Sequence, residues 1–296
     1  MRYAYIRTQE RSHRVNRLCT ALAVSRSGYY AWRDRPVSAR TAEDHRLLPV
    51  LQRLHQQARE AYGALKLWRA VIDSGIPCGR HRVARLRKLA GLEVRRIRRF
   101  RVIVEHHQLP PPPPNLLQQC FVTTTLNRVW VGDFTHVPTR AGWLYVAVLL
   151  DLYSRRVIGW AMRAKPDQHL TLEALAMAVR QRRVQPGLIH HSDQGAQYSC
   201  LAYQRQLTTL GMTSSMSRKG NCYDNAVAES FFSTLKNELV HDRDYNTRED
   251  ARAEIFEFIE VFYNRQRLHQ TLGYVSPEQF ETQNPVPLRG CLRNRG

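Results

Sequence analysis

The chain has 296 residues, 43% of them hydrophobic, and a net charge of +20 from 45 Lys and Arg against 25 Asp and Glu. That length and apolar content exclude wholesale disorder and allow two domains or one large one. No apolar run reaches membrane-spanning length and no hydrophobic signal segment follows the basic N-terminus. The six cysteines (Cys19, Cys78, Cys120, Cys200, Cys222, Cys291) form no Cys-x-x-Cys pair, so a membrane protein, a disulfide framework and a zinc ribbon are not expected, and a reducing cytoplasm is. The charge is one-sided: residues 1–115 carry +16 and residues 116–296 carry +4. A basic front half fits a polyanion-binding module joined to a different machine better than it fits a general solubility bias.

The front half, residues 1–109, reads as helices only. Val15, Leu18, Cys19 and Leu22 recur at helical spacing, Val24-Ser25 forms a turn, and Ser25 caps a short helix through Trp32. The pair resembles a helix-turn-helix. A longer amphipathic stretch spans 42–60 and is expected to be interrupted at Pro49. Helices over 63–73 and 80–90 follow. In the last, Val83, Leu86 and Ala90 share one face and His81, Arg85 and Lys88 lie roughly opposite, with Arg82 beside them. A basic face left free by such packing suits DNA, although a solvated surface is the bland alternative. The run Arg95-Arg96-Ile97-Arg98-Arg99-Phe100-Arg101 favours phosphate contacts, so His81, Arg82, Arg85, Lys88, Arg95, Arg96, Arg98 and Arg99 are the candidate DNA-binding residues.

Five consecutive prolines, Pro110 to Pro114, open a stiff linker over 110–125. Beyond it the pattern changes. Strands are expected over 129–138, 143–150 and 156–162 as an antiparallel meander, then a helix over 166–183, a strand at 188–190, a helix over 198–210, a strand at 212–216 and a helix over 224–240. A final helix covers 248–263, and residues 286–296 form a basic tail. The order βββ-α-β-α-β-α implies a mixed five-stranded sheet with flanking helices, an α/β core over 126–285.

Three carboxylates stand out in that core. Asp133 ends Val129-Trp130-Val131-Gly132, Asp193 follows Leu188-Ile189-His190-His191, and Glu229 lies among Ala226-Val227-Ala228 and Ser230-Phe231-Phe232. Singly, each acid is better explained as a strand end, a turn former and a helix-surface residue. Together they place two charges at strand ends and one on an otherwise apolar helix, where a cation would relieve them. Carboxylate oxygens suit Mg²⁺ or Mn²⁺, and such a cluster can hold two ions and drive phosphodiester chemistry. Lys236, seven residues after Glu229, shares its face and could grip a phosphate. Asp151 is the rival acid, preferred as a cap of the Tyr153-Ser154 turn or a partner of Arg155 or Arg156. Asp224 is explained by helix capping, and His191 shapes the site rather than binding metal. No phosphate-loop motif occurs.

With Asp151-Leu152-Tyr153-Ser154-Arg155, His191-Ser192-Asp193-Gln194-Gly195, Asn221-Cys222-Tyr223-Asp224-Asn225 and Gln266-Arg267-Leu268-His269-Gln270-Thr271-Leu272-Gly273-Tyr274, these segments resemble bacterial insertion-sequence transposases of the second-reading-frame type. The resemblance implies an RNase H-like, retroviral-integrase-like catalytic core. It further implies a two-metal mechanism in which Asp133, Asp193 and Glu229 bind the metal ions and cut and join DNA, with Lys236 on the DNA ends. It also implies synapsis by a homo-oligomer on terminal-repeat and target DNA in the bacterial nucleoid. The first-reading-frame product is implied as a partner or frameshift fusion. A DNA-binding protein without catalysis and a nuclease without joining are the rival functions.

Overall fold

The computed structural model describes residues 1–36, 38–94, 112–218 and 222–285. The basic cluster at Arg95, Arg96, Arg98 and Arg99, the first two linker prolines and the tail at 286–296 lie outside them. Three short helices open the chain: α1 (Arg2–Gln9), α2 (Val15–Ala21) and α3 (Arg26–Arg33). They close on a small core of Ile6, Cys19 and Tyr29. Next come α4 (Ala39–Gln57), α5 (Ala64–Asp73) and α6 (Arg80–Leu89), packed through Leu47, Leu51, Leu67, Val71, Val83 and Leu86. Pro49 does not interrupt α4, contrary to expectation: the helix runs through it for 19 residues. Buried Leu47 and Leu51 anchor both sides of the proline, so tertiary packing offsets the lost backbone hydrogen bond.

The second half is built on a sheet. β1 (Val129–Val137), β2 (Leu144–Asp151) and β3 (Val157–Arg163) form the expected antiparallel meander. After α7 (Gln168–Gln181), β4 (Ile189–Ser192) pairs parallel to β1. After α8 (Ala196–Ser199) and α9 (Leu201–Thr209), β5 (Thr213–Met216) pairs parallel to β4. The strand order is β3-β2-β1-β4-β5. The helix expected over 198–210 is split because Cys200 is extended, with ψ at 147°. Alternation along the strands feeds two cores. Val131, Val146 and Val148 face α10 (Ala226–Glu238) and α11 (Arg248–Glu257), while Trp130, Ala147 and Leu149 face α7 and α9. Gly159 lets α7 lie on β3, since a Cβ there would come within 2.3 Å of the Ala174 carbonyl oxygen.

The chain beyond α11 departs most from expectation. Phe258–Gln266 continues the helix with π-type winding, burying Phe258, Ile259, Phe262, Tyr263 and Asn264. Asn264 brackets Val157, its side-chain amide donating to the carbonyl and its oxygen accepting from the N–H, both at 3.0 Å. An unforeseen helix, α12 (Pro277–Gln283), starts at a capping box of Ser276 and Gln279. Its Glu281 receives Arg156, Arg182 and the Ser154 hydroxyl, which pins the helix to the β2–β3 turn. Among the described residues no helix is long and apolar enough to cross a membrane.

The α4–α6 module rests on this C-terminal segment. The Tyr62 hydroxyl accepts the Leu268 N–H at 2.9 Å and donates to the Gln266 carbonyl at 3.3 Å. Arg59 pairs with Glu257 and lies over the rings of Phe258 and Phe262. Tyr62→Phe strands a buried N–H and is expected to lower unfolding free energy by about 1–2 kcal/mol. Urea denaturation measures it, and an unchanged midpoint would mean the phenol contributes no net stabilisation.

Candidate active site

The parallel register of β1 and β4 sets the site. Val131 pairs with His191. Two residues further along from each stand Asp133 and Asp193, at the same level; Asp193 directly follows β4 as expected of a strand end, whereas Asp133 lies in the middle of β1, which runs on to Val137. Asp133 Oδ1 accepts the Phe134 N–H at 2.8 Å, and Asp193 Oδ1 accepts the Gly195 N–H at 3.0 Å. A Cβ at Gly195 would lie 2.9 Å from that carboxylate, so a larger residue there would push the Asp193 side chain aside. Among the described residues no Lys or Arg forms an ion pair with either aspartate. Burial, then the charge of Asp193, raises the Asp133 carboxyl well above the usual range, and burial raises Asp193 as well. Two like charges held together this way favour a proton or a cation between them.

Glu229 sits in the first turn of α10, exposed, with its carboxyl raised by partial burial and by Asp193. Lys236 is half-buried. Burial lowers its ammonium, and the Asp133 charge works in the opposite direction. The four groups expected to act together therefore lie in one another's fields. Among the described residues, however, no three His, Cys, Asp or Glu side chains close on a common point at ligating distance. Asp133 and Asp193 fit a divalent cation by donor type and charge. Glu229, exposed on α10, does not complete a three-ligand cluster with them.

The supporting shell is polar and buried. His191 Nδ1 meets the Ser215 hydroxyl and Nε2 meets the Asp224 carbonyl, each at 2.9 Å, while Ser215 in turn accepts the Leu116 N–H. Burial lowers the His191 pKa, so a neutral ring donates from Nε2 to the carbonyl and accepts at Nδ1. Both nitrogens are engaged, which suits shaping rather than ligation. His190 is likewise neutral, with its pKa pushed down to about 3 by burial and Nε2 at 2.9 Å from the Tyr203 hydroxyl.

Two secondary acids resolve differently. Asp151 is fully buried and accepts the N–H groups of Asn127, Tyr153 and Ser154, the turn-capping role expected of it. It pairs with neither Arg155 nor Arg156. Asp224 is not the helix cap. It is a buried anchor, accepting Arg218 N at 2.9 Å, Arg218 Nε and Nη2 at 3.0 Å and Gln119 Nε2 at 3.0 Å. The Arg218 guanidinium holds its carboxyl far below the usual range. Sequence reasoning missed Arg218, Gln119 and Ser215, since nothing in their local pattern separates them from surface polar residues. On α6, His81 and Lys88 are exposed, whereas Arg82 pairs with Asp44 and Glu43 and Arg85 pairs with Asp44. The free basic face there is narrower than the helical wheel implies.

The sequence matches the family "Integrase core domain" over residues 124–222 and again over 229–284, and an "HTH-like domain" over 42–100. It is 45% identical over 263 residues to the "Insertion element IS600 uncharacterized 31 kDa protein" of Shigella sonnei, covering 89% of this chain and 97% of that protein. It is 38% identical over 286 residues to "Transposase InsF for insertion sequence IS3A" of Escherichia coli K12, covering 96% of this chain and 99% of that protein. Among solved structures, the HTLV-2 integrase catalytic core domain in complex with magnesium overlaps 52% of this chain and 96% of its own, at 17% identity and a TM-score of 0.40.

Proposed function

We propose that this chain, which belongs to the IS3-type insertion-sequence transposases with an integrase core, cleaves DNA at the ends of its element and joins the freed 3′-hydroxyl to target DNA. The observation that supports the reading is the register of β1 and β4, which brings Asp133 level with Asp193, with the charges of Glu229 and Lys236 on α10 close enough to be felt at Asp133. Asp133 and Asp193, joined by Glu229, would hold Mg²⁺ or Mn²⁺, two ions in the full reading. Bound there, the metal supplies Lewis-acid activation of the attacking oxygen and neutralises charge on the scissile phosphate. The protein's own residues do the rest. Asp133 and Asp193, each with one oxygen engaged by a backbone N–H, would offer their second oxygens to the cation. Lys236 holds a DNA phosphate beside them. His191 and Asp224 keep β4 and α10 in register.

The domain reading follows: 1–109 binds DNA, 110–125 spaces, and 126–285 catalyses, in a bacterial cytoplasm and on the nucleoid. Synapsis of two ends calls for a homo-oligomer, and the first-reading-frame product is a partner or fusion. A strand-transfer assay with pre-cut element ends tests the reading. Joined product supports it, nicks alone mean a nuclease, and binding alone means a regulator.

DNA affinity is expected to fall steeply with salt, as counterion release dictates. Lys88→Ala should weaken binding uniformly across sequences and reduce the slope of log K against log salt by about 1. Fluorescence anisotropy on duplexes of unrelated sequence measures both, and an unchanged slope removes Lys88 from the interface.

A further inference from the structure

The HTH-like match begins at residue 42, and neither core match reaches residues 1–36. Yet these residues build their own unit. α2 has seven residues and α3 has eight, joined by the turn Leu22–Ser25. Ala23 takes a left-handed φ of 49° at the centre of that turn, and Val24 N–H bonds back to the Cys19 carbonyl at 3.0 Å. A non-glycine residue in that region is costly and persists only where the surroundings demand it. Ser25 then caps α3 through the Gly28 N–H at 2.9 Å. Gly28 admits the Tyr3 ring, since a Cβ there would fall 2.4 Å from its hydroxyl oxygen. α1 thus clamps the two-helix corner through Ile6, Cys19 and Tyr29.

What the corner leaves outside is as informative. On α3 only Tyr29 is buried, while Arg26, Ser27, Tyr30 and Arg33 are exposed. Residues 1–36 contain eight arginines and two acidic residues, a net +6. Arg33 is tied to Asp34 and Glu10, whereas among the described residues Arg26 of α3 forms no ion pair. Arg14 and Arg17 stand exposed at the start of α2. In a helix-turn-helix the second helix enters the major groove by its N-terminal residues while the first crosses the backbone. By contrast, the cations Arg82 and Arg85 of α6 are already paired within their own module.

We propose that residues 1–36 form a second, separate helix-turn-helix that reads duplex DNA by sequence. Arg26, Ser27 and Tyr30 of α3 face base edges in the major groove, and Arg14 and Arg17 hold phosphates. The proposal rests on the reading of DNA as the substrate, but it does not depend on the catalytic chemistry.

The test uses the full-length chain carrying Asp133→Asn, so that bound DNA is not cut, and a duplex pool with a randomised central segment. The parent should enrich a motif. Arg26→Ala with Tyr30→Ala should erase one block of it, with helix content by circular dichroism unchanged because neither residue is in the core. Arg26→Lys keeps the charge but loses the two-pronged guanidinium. It should cost about 5- to 100-fold in preference at one base pair while holding affinity for a fixed duplex of unrelated sequence nearly constant. A motif that survives both variants unchanged, or a parent that enriches none, overturns the proposal. Strand transfer by the wild-type chain is scored separately, so loss of the reader and loss of the chemistry are distinguishable.

Discussion

Asp133→Asn, Asp193→Asn and Glu229→Gln are each expected to abolish end cleavage and strand transfer, by about 10³-fold or more, while leaving DNA affinity nearly unchanged. A metal cluster supplies several kcal/mol of transition-state stabilisation, and each 1.36 kcal/mol is a factor of ten. The amide isosteres keep shape and remove charge, so the loss reports on charge alone. The same change should raise the stability of the metal-free protein near neutral pH. Asp133 has its carboxyl raised on folding, by burial and by Asp193. A raised acid contributes stability below its unfolded pKa of about 3.9 and loses it as pH rises through the folded value. At neutral pH the metal-free pair is therefore a liability, which Asp133→Asn removes. Mg²⁺ or Mn²⁺ should raise the melting temperature of the wild type but not of the variant. Full activity of any one variant would end that residue's assignment, and a divalent shift retained by Asp133→Asn would place the cation elsewhere.

Much of this site is written in local sequence, and the reasons are physical. Apolar runs bounded by turn residues give the five strands, and the carboxylates stand out because charge is rare beside Val131, Ile189 and Phe231. Strand order is less accessible. Only the observed pairing of Val131 with His191 brings Asp133 level with Asp193. The misses share a cause. Pro49 carries a strong local signal that tertiary packing around Leu47 and Leu51 overrides. The π-wound segment and α12 depend on partners distant in sequence, such as Asn264 on Val157 and Glu281 on Arg156 and Arg182. Asp224 looks like a cap from its neighbours and proves to be an anchor because Gln119, 105 positions away, reaches it.

Asp224→Ala is expected to be the most disruptive substitution outside the carboxylate cluster. Asp224 is fully buried and takes hydrogen bonds from Gln119, from the Arg218 backbone and from two nitrogens of its guanidinium. Removing one partner of a buried charge network costs about 3–5 kcal/mol. Arg218 is itself largely exposed, so water recovers part of its share and about 2–4 kcal/mol is the working figure. The carboxyl is depressed on folding. Its stabilisation is therefore present above the unfolded pKa of about 3.9 and fades only as pH falls through the folded value. The gap between wild type and variant should be flat from about pH 5 to 8 and narrow in stronger acid. The functional consequence runs through geometry. The Asp224 carbonyl is hydrogen-bonded to His191, two residues before Asp193, and Asp224 lies five residues before Glu229. Loosening it lets the α10 carboxylate drift from the β4 one, and misplacement of about 1 Å can cost on the order of 10²-fold. Urea denaturation at several pH values reads the stability, and strand transfer at a temperature where the variant stays folded reads the geometry. A folded Asp224→Ala protein with undiminished strand transfer would show that Asp193 and Glu229 keep their placement without this anchor.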